Sequence, residues 1–470
     1  MIDDISEAHL RAVAAAEPYP YWFDDTDEPA SLPALVGIKR TDLCIVGGGY
    51  TGLWTAVIAK QRDPNKHVVL LEGDTVGWGA SGRNGGFMES SLTHGLSNGQ
   101  ERFPKELAQL EALGLANLNA IEDTIKLYNI DCDYERVGVI DVANAAHMVE
   151  GLREDYDQLS ELGQDVALLD QAAMRAEVNS PTYHGGLWRK GRAAIVDPAR
   201  LAWGLKRVAL DLGVEIFEHT RVDEVARDNK MIRIATPFGR VMANNVVLAT
   251  NAFPPLLRQI KRYVIPVYDY VLVTEPLNAE QMASIGWANR QGLSDGANQF
   301  HYYRLTSDNR ILWGGYDAVY YFGGKMSSVL EQRPETWARL SQHFFETFPQ
   351  LEGVQFSNAW GGAIDTCTRF CSFWGQAFDK QLVYSVGYTG LGVAATRFGA
   401  EVSLDLLDGV RNERTQLDFV RRKPIPFPPE PFRFMGIQAT RWSLAAADRH
   451  DGRRNMWLRT LDKFGLGFDS

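Results

Sequence analysis

Three glycines and one acidic residue have the spacing of a dinucleotide-binding turn. Gly47, Gly49 and Gly52 are the first, third and sixth residues of GGGYTG, and Glu72 follows further along the chain. The first glycine allows a tight turn, the second lets the backbone approach a pyrophosphate, and the third lets a helix pack closely on a strand. A carboxylate at Glu72 would accept hydrogen bonds from the ribose hydroxyls of an adenosine and repel a 2′-phosphate. We therefore expect a dinucleotide that lacks a 2′-phosphate.

A strand, a helix and a second strand must position these residues. The apolar run at residues 42–46 predicts a buried strand, residues 49–61 predict a helix, and residues 68–72 predict the second strand. Free N–H groups and the positive dipole end at the start of that helix favour a bound pyrophosphate. The alternative is an ordinary loop, but all the parts of the dinucleotide motif occur in the required order.

A second glycine-rich segment follows Glu72. Residues 73–90 read GDTVGWGASGRNGGFMES, with glycine at positions 73, 77, 79, 82, 85 and 86. Such density allows a backbone to run directly against a ligand, and Ser81, Arg83 and Asn84 can add polar contacts to a pyrophosphate or a flavin edge. The alternative is a flexible surface loop. Ordinary dinucleotide-binding crossovers lack such a segment, so its presence favours a flavin.

The chain resembles the D-amino-acid oxidase superfamily of FAD enzymes, in particular the branch that contains γ-glutamylputrescine oxidoreductase, glycine oxidase and sarcosine oxidase. The most specific match is GASGRNGG at residues 79–86. VVLATNAF at 246–253, YYRLTSDNRILWGGYD at 302–317, WGGAIDTCTRF at 360–370 and VYSVGYTGLGVAATRFGAEV at 383–402 follow in the expected order. Besides the turn and Glu72, the resemblance implies FAD contacts from Tyr50, Thr51, Gly73, Gly79, Ala80, Ser81, Arg83, Asn84, Gly85, Gly86, Phe87, Met88, Val222, Thr250, Asn251, Gly362, Thr389, Gly390, Leu391, Gly392 and Val393.

The segment near residues 382–393 also has a physical interpretation of its own. A predicted strand at 382–386 is followed by Gly387, Gly390 and Gly392, and then by a helix that starts near Val393. N–H groups at that helix start can point at the flavin pyrimidine carbonyl, where the positive dipole end stabilises negative charge. The family usually carries a histidine where this chain has Leu391, so no side-chain cation is expected there.

Aromatic and cationic residues are the candidates for substrate contact. Alternation along two predicted strands places Tyr268 with Tyr270, and Tyr302 with Arg304, on shared faces. An arginine can hold a substrate carboxylate in a bidentate pair, and aromatic rings can enclose an ammonium group. Trp360, next to a flavin segment, is a further candidate. Tyr270 and Arg304 are preferred, and the alternative for each of these residues is a core aromatic or a salt-bridged arginine.

Two other residues have open roles. His94 follows the glycine-rich segment and can reach the substrate side of a flavin, although a lone histidine is more often structural. Cys367 lies near the region where sarcosine oxidases attach FAD covalently, but its spacing to GYTGLG is shorter than we expect for that linkage. We therefore expect non-covalent FAD, with Cys367 and Cys371 as small buried side chains.

The resemblance implies FAD-dependent oxidation of an amine or amino acid. A hydride would pass from the carbon bearing nitrogen to flavin N5, and the resulting imine would hydrolyse, so the protein mainly aligns the substrate. Two alternatives stay open. The protein could oxidise a hydroxy acid or alcohol at the same flavin face, or it could bind flavin without catalytic turnover. O2 or a redox partner would take the electrons, and the oligomeric state is left open.

Composition disfavours several other classes of protein. The 470 residues carry a formal net charge of −11, which repels nucleic acid. No apolar run approaches the roughly 20 residues that cross a bilayer, and the first residues lack a signal-peptide pattern. Four cysteines without a C-x-x-C pair, and no histidine cluster, predict neither a metal site nor a disulfide framework. We expect a cytoplasmic enzyme for a small-molecule amine or amino acid.

The predicted fold class is α/β, or α+β overall, with a Rossmann-like FAD-binding domain interleaved with an antiparallel-sheet substrate domain. Residues 36–100, 193–254 and 355–409 are predicted to form the discontinuous FAD-binding domain. Residues 101–192 and 255–354 are predicted to form the substrate-binding domain, and residues 410–470 a proline-rich and helical extension.

Overall fold

The computed structural model describes residues 5–24 and 28–463. The strands are β1 Gly37–Val46, β2 Val68–Leu71, β3 Phe87–Glu89, β4 Val139–Ala143, β5 Val166–Asp170, β6 Gly185–Arg189, β7 Ala193–Ile195, β8 Glu215–Phe217, β9 Glu224–Asp228, β10 Met231–Ala235, β11 Gly239–Leu248, β12 Ile265–Thr274, β13 Gly292–Asp295, β14 His301–Leu305, β15 Ile311–Gly315, β16 Phe356–Thr366, β17 Phe373–Ala377 and β18 Leu382–Val386. The α-helices are α1 Glu7–Val13, α2 Tyr50–Arg62, α3 Ala80–Arg83, α4 Leu96–Arg102, α5 Leu107–Leu127, α6 Val149–Glu161, α7 Gln171–Glu177, α8 Pro198–Asp211, α9 Ala279–Ile285, α10 Pro334–Thr347, α11 Gly392–Leu407, α12 Glu413–Gln416, α13 Asp418–Arg421, α14 Phe432–Asp448 and α15 Met456–Lys463.

The first sheet has the order β17-β18-β11-β1-β2-β8, with β10 also paired to β11 and β9 to β10. β1 pairs in parallel with β2 and β11, and β11 pairs in parallel with β18. Val46 is level with both Leu71 and Leu248, so the segments that follow these three strands leave the sheet at one edge. In open parallel sheets, this carboxyl edge is where ligands bind.

Alternate residues of β1 enter two different cores. Leu43 and Ile45 pack with α2, α5, α8 and α11 on one face of the first sheet. Cys44 and Val46 pack on the other face with residues of β9, β10 and β17. Burial on both faces explains the continuous apolar run, which is typical of a central parallel strand. The predicted strand, helix and second strand of the dinucleotide motif are confirmed.

The second sheet has the order β16-β12-β15-β14-β13-β4-β6-β5 and is mainly antiparallel. One of its faces carries an aromatic core in which Trp287, Tyr303 and Trp313 pack against Phe344 of α10 and Phe348. The mixed architecture agrees with the predicted α/β fold class.

Strand β16 joins a different sheet from the one that its sequence position suggested. It lies inside the 355–409 segment predicted for the FAD-binding domain, yet it pairs along the full length of β12, from Ile265 opposite Thr366 to Thr274 opposite Phe356. We still propose two interleaved domains, with this boundary moved to the end of β16.

The C-terminal extension folds back over the second sheet. Asp448, at the end of α14, accepts hydrogen bonds from the N–H groups of Asn298 and Gln299 at 2.9 and 3.0 Å. Arg441 of α14 pairs with Asp317. Across residues 5–24 and 28–463, no helix has the length and apolar content needed to span a bilayer.

Candidate active site

A cavity of about 1040 Å³ is lined by parts of both sheets. Its walls come from the turn after β1, from α3 and the residues that follow it, from β12, β14 and β16, from the start of α11, and from α14. The carboxyl edge of the first sheet therefore opens into the same space as one face of the second sheet. This is the arrangement expected of a site in which a cofactor and a substrate meet.

The glycines of the turn are required by close backbone contacts. Gly47 has φ +111°, and a Cβ there would lie 2.4 Å from the carbonyl oxygen of Ala249. A Cβ on Gly52 would lie 1.9 Å from the carbonyl oxygen of Gly47, and one on Gly49 would lie 2.8 Å from Ser81 Oγ. Helix α2 thus starts against the turn, with a glycine as its N-cap. That start supplies N–H groups to an anion.

Glu72 lies beside the turn, where the sequence predicted it. Its Oε2 accepts a hydrogen bond from Gly48 N–H at 2.6 Å, and its Oε1 accepts one from Asp74 N–H at 2.9 Å. Burial raises the pKa of Glu72, against the backbone hydrogen bonds that lower it. The carboxylate thus borders the turn and can accept ribose hydroxyls.

The GASGRNGG segment is folded by its own asparagine. Asn84 Nδ2 donates to the carbonyl oxygens of Ala80 and Ser81 at 3.0 and 2.8 Å, and Asn84 Oδ1 accepts from Gly86 N–H at 2.8 Å. Gly86 has φ +77°, and a Cβ there would lie 2.2 Å from the carbonyl oxygen of Val196. The segment is therefore a fixed wall of the cavity.

Arg83 is the buried cation of this wall. Its Nη1 lies 2.6 Å from Glu331 Oε2, and its Nε donates to the carbonyl oxygen of Trp78 at 2.7 Å. Its guanidinium also stacks 4.2 Å from the centre of a Trp78 ring. Glu331, which the sequence analysis did not single out, thus neutralises the most buried cation that lines the cavity.

The segment between β18 and α11 is held in place by Asp365, a second acidic residue that the sequence did not indicate. Its Oδ2 accepts a hydrogen bond from Gly387 N–H at 2.5 Å, and its backbone carbonyl accepts one from Thr389 N–H at 3.3 Å. Burial raises the pKa of Asp365 to about 7, against backbone hydrogen bonds that lower it. Helix α11 follows with Leu391 as its N-cap, which makes no side-chain capping hydrogen bond. Its first N–H groups are available to an electron-rich ligand edge.

Several non-glycine residues on the cavity wall have left-handed backbone angles. The φ values are +62° at His94, +48° at Asn251, +64° at Tyr316 and +52° at Thr389. Such conformations cost about 1–3 kcal/mol each and cluster at functional sites. The presence of such residues on this wall is consistent with a functional site there.

Most of the predicted FAD contacts line this cavity. Those on the wall are Gly49, Tyr50, Thr51, Ala80, Ser81, Arg83, Asn84, Gly85, Phe87, Asn251, Gly362, Thr389, Gly390, Leu391, Gly392 and Val393. Behind the wall or beside it, within the described part of the chain, are Gly47, Gly52, Glu72, Gly73, Gly79, Gly86, Met88, Val222 and Thr250.

The side chains of Met88 and Val222 lie in cores of the protein and not on the cavity wall, and the contact of these two positions with FAD stays a prediction. Met88 follows Phe87 on β3, and because side chains alternate along a strand, Phe87 faces the cavity while Met88 is fully buried between helices of the first core. Val222 packs in the core on the other face of the first sheet, beside Val69 and Leu71.

Tyr302, Trp360 and Tyr268 lie on the cavity wall as predicted. The Tyr302 ring rests on Gly85, where a Cβ would lie 2.6 Å from Tyr302 Cε2. Trp360 Nε1 donates to the carbonyl oxygen of Arg83 at 3.0 Å. Tyr268 is nearly fully buried, and its hydroxyl accepts from Ser327 N–H at 3.1 Å.

Asp269 joins this face and was missed by the sequence analysis. Its Oδ2 accepts a hydrogen bond from the Tyr302 hydroxyl at 2.5 Å, and its Oδ1 accepts one from Tyr270 N–H at 2.8 Å. Burial raises the pKa of Asp269 to about 6, against these two hydrogen bonds that lower it. A half-buried carboxylate therefore lies one side chain away from Gly85.

Tyr270 does not line the cavity within the described structure, which corrects the prediction that it contacts substrate. It shares a face with Tyr268 and Leu272 in the aromatic core. Its hydroxyl lies 2.9 Å from the Tyr321 hydroxyl and donates to the carbonyl oxygen of Leu330 at 2.8 Å. Side chains alternate along β12 as predicted, but it is Asp269, and not Tyr270, that faces the cavity.

Arg304 also needs correction. It lies behind the glycine-rich wall, where its Nη1 donates to the carbonyl oxygen of Val196 at 2.5 Å and its Nε donates to that of Leu305 at 3.0 Å. Its guanidinium stacks over Trp22 at 5.3 Å. Burial lowers the pKa of Arg304 to about 10. It joins β14 to the segment after β7 and does not reach the cavity that the described residues enclose.

His94 and Cys367 differ in their access to the cavity. His94 lines it, and burial lowers the pKa of the imidazole, so a neutral ring faces the ligand space. Cys367 is fully buried, and its Sγ donates to the carbonyl oxygens of Cys371 at 3.2 Å and Gly387 at 3.4 Å. This placement supports the prediction of non-covalent FAD.

The family model described as FAD dependent oxidoreductase, DAO, matches residues 42–406, a stretch that begins within β1 and ends in α11. The chain belongs to this family. The prediction from GASGRNGG and the turn is confirmed, and FAD is the cofactor of this FAD-dependent oxidoreductase. The turn, the glycine-rich wall and the uncapped start of α11 are the parts that would hold it.

Known proteins resemble this oxidoreductase along most of its length. Gamma-glutamylputrescine oxidoreductase of Escherichia coli is 31% identical over 87% of this chain and 92% of its own. A probable oxidoreductase, OrdL, of Haemophilus influenzae is 28% identical over 83% of this chain and 88% of its own. The crystal structure of glycine oxidase from Geobacillus kaustophilus has a TM-score of 0.67 at 20% identity and covers 82% of this chain and 100% of its own. The predicted fold is thereby confirmed.

Proposed function

We propose that this oxidoreductase oxidises an amine or amino acid at the carbon that bears nitrogen. The observation that carries the proposal is the Asp269–Tyr302 pair, which faces the cavity directly beside Gly85 of the glycine-rich wall. When bound, FAD supplies the oxidant by accepting a hydride from that carbon. The names of two relatives, gamma-glutamylputrescine oxidoreductase and glycine oxidase, indicate nitrogen-bearing substrates and support the proposal.

The side chains of the second sheet can bind and orient such a substrate. Asp269 presents a carboxylate that accepts hydrogen bonds from an ammonium group, and Tyr302 fixes its orientation through the 2.5 Å hydrogen bond. Because amine oxidation needs a neutral nitrogen, a group must take one ammonium proton. Asp269 is placed to hold this proton, and its pKa of about 6 is close to the range in which an acceptor works at neutral pH.

Anaerobic reduction of the bound flavin tests the proposed function. The FAD-loaded protein is mixed with a panel of amines and amino acids, and with the alcohol or hydroxy acid that matches each one. We expect loss of the oxidised flavin absorption with nitrogen-bearing compounds alone. Reduction by a hydroxy acid and by none of its nitrogen analogues would contradict the proposal, as would full reduction by dithionite with no response to any amine.

We also propose that O2 or a separate redox partner takes the electrons, and that the reaction occurs in the cytoplasm. The four cysteines are free and buried, which supports a reducing location. Formation of hydrogen peroxide during turnover in air would identify O2 as the acceptor.

A further inference from the structure

The arginines on the cavity wall are already committed to carboxylates of the protein. The ion pairs are Arg83 with Glu331 at 2.6 Å, Arg189 with Glu89 and Asp141 at 2.7 Å each, Arg192 with Glu111 at 3.2 Å, Arg433 with Glu430 at 3.3 Å, and Arg441 with Asp317. Within residues 5–24 and 28–463, no lysine lines the cavity, and its one histidine, His94, is neutral because burial lowers its pKa. A carboxylate on the substrate would therefore compete with a protein carboxylate for each of these arginines, two of which, Arg433 and Arg441, have an Nε without a hydrogen bond within the described residues.

The arginine predicted to bind a substrate carboxylate forms hydrogen bonds with backbone carbonyl oxygens of the protein instead. Arg304 donates to the carbonyl oxygens of Val196 and Leu305 and is only 2% exposed. Gly86 separates it from the cavity, since a Cβ on Gly86 would lie 2.4 Å from Arg304 Nη1. The guanidinium therefore lies against the backbone of the glycine-rich wall and outside the cavity lining.

Asp269 has the opposite character. Its partners are neutral donors, the Tyr302 hydroxyl and the backbone N–H groups of Tyr270 and Gly315, and none of the ion pairs found among the described residues includes Asp269. A carboxylate that is partly removed from water, as Asp269 is, is stabilised by a nearby cation or metal. Asp269 therefore has no cationic partner among the described residues. It lies in the part of the cavity nearest to Gly85.

Taken with the proposed function, on which it rests, this charge pattern distinguishes between amines and amino acids. We propose that the substrate is an amine without a carboxylate on the reacting carbon, and that Asp269 binds its ammonium group. Asp269 is thus a residue that determines specificity, and it favours cationic alkylamines over zwitterionic α-amino acids.

Matched substrate pairs test this preference. Propylamine is compared with both enantiomers of 2-aminobutanoate, and 1,4-diaminobutane with both enantiomers of 2,5-diaminopentanoate, because each pair differs by a carboxylate on the reacting carbon. We expect anaerobic flavin reduction by an amine to be faster than by its carboxylated partner. Faster reduction by the carboxylated member of each pair would overturn the inference and leave the proposed function intact.

A binding measurement separates failure of the inference from failure of the proposed function. Tetramethylammonium and propionate are titrated separately into the FAD-loaded protein, and the shift of flavin absorption is followed. We expect tetramethylammonium to bind in preference to propionate, and Asp269→Asn to weaken its binding about tenfold or more, since the Coulomb attraction between carboxylate and cation is lost. Preferred binding of propionate, or unchanged tetramethylammonium binding in Asp269→Asn, would overturn the inference.

The control variant carries the same substitution on the protein surface. Asp379 pairs with Arg227 at 2.7 Å and has an 86% exposed side chain, so Asp379→Asn should bind both probes like the parent protein. Unfolding temperature and FAD content are measured for each variant, so that a folding defect in Asp269→Asn is recognised. If no compound of the panel reduces the flavin while tetramethylammonium binding still depends on Asp269, the proposed function fails and the cation site stands.

Discussion

At the scale of single residues, the site depends on glycines, which have no side chain, as much as on acidic side chains. At Gly47, Gly49 and Gly52 any side chain would clash with neighbouring atoms, whereas Asp269 and Asp365 are carboxyl groups whose pKa is raised by burial. The two kinds of residue can be tested separately, because one shapes the cofactor site and the other its charge.

Replacement of Gly52 should abolish retention of FAD. In Gly52→Ala the new Cβ would lie 1.9 Å from the carbonyl oxygen of Gly47, so the turn must move, and overpacking of this kind costs about 1–3 kcal/mol or more. FAD content is measured by absorption of the released flavin. Gly151→Ala is the control, because its Cβ meets no atom within 4 Å in helix α6. A Gly52→Ala protein with full FAD content would contradict this role.

The affinity for a cation should depend on pH through Asp269. Since burial raises its pKa to about 6, the carboxyl group is neutral below that pH and charged above it. Binding of tetramethylammonium, which does not itself titrate, should therefore tighten as the pH rises through about 6. Dissociation constants measured across this range should lose the dependence in Asp269→Asn. Retention of the same profile would assign it to another acid, with Asp317 the nearest in electrostatic influence.

At the scale of elements, strand β12 separates a cavity face from a core face. Val267, Asp269 and Val271 line the cavity, while Tyr270 and Leu272 pack in the aromatic core, and Tyr268 belongs to that core but also reaches the cavity wall. The sequence predicted which residues share a face, because alternation is a property of the strand itself. It could not predict which face meets the cavity, because apolar and aromatic residues occupy both sides and the partner, α10, lies far along the chain.

Tyr270→Phe should affect stability and leave substrate oxidation unchanged. The substitution removes the hydroxyl that donates to the carbonyl oxygen of Leu330 at 2.8 Å, which should lower the free energy of unfolding by about 1 kcal/mol. Denaturant unfolding and anaerobic flavin reduction are compared with those of Tyr302→Phe, which removes the hydrogen bond to Asp269. A larger loss of reduction rate in Tyr270→Phe than in Tyr302→Phe would refute the assignment of faces.

At the scale of the whole molecule, the FAD-binding half was predictable and the charge of the substrate half was not. Glycines at fixed spacing carry their own geometric reason, so the turn and the residues near Gly85 and Gly390 were located from the chain alone. The roles of Arg304 and Glu331 depend on contacts with Val196 and Arg83, more than a hundred residues away in each case. Local sequence patterns do not show which distant residues form such pairs.

The C-terminal extension should be held to the second sheet by charge. Arg441→Met removes the ion pair with Asp317, which keeps its contacts with Arg333 at 3.6 Å and Thr336 at 2.8 Å. We expect faster tryptic cleavage within α14 and an unchanged FAD content, as followed by mass spectrometry of the fragments. Arg11→Met is the control, since Arg11 forms an exposed pair with Glu7. Equal cleavage rates in both variants would show that this ion pair does not anchor the extension.

The position of β18 also fixes when the cofactor can arrive during synthesis. β18, Leu382–Val386, is the parallel neighbour of β11, and the glycine segment and α11 that follow it complete the cavity. The dinucleotide turn leaves the ribosome early, but the wall opposite it is made only after most of the chain has been translated. We therefore expect capture of FAD to be a late event in biogenesis, with nascent chains that stall before β18 remaining without flavin.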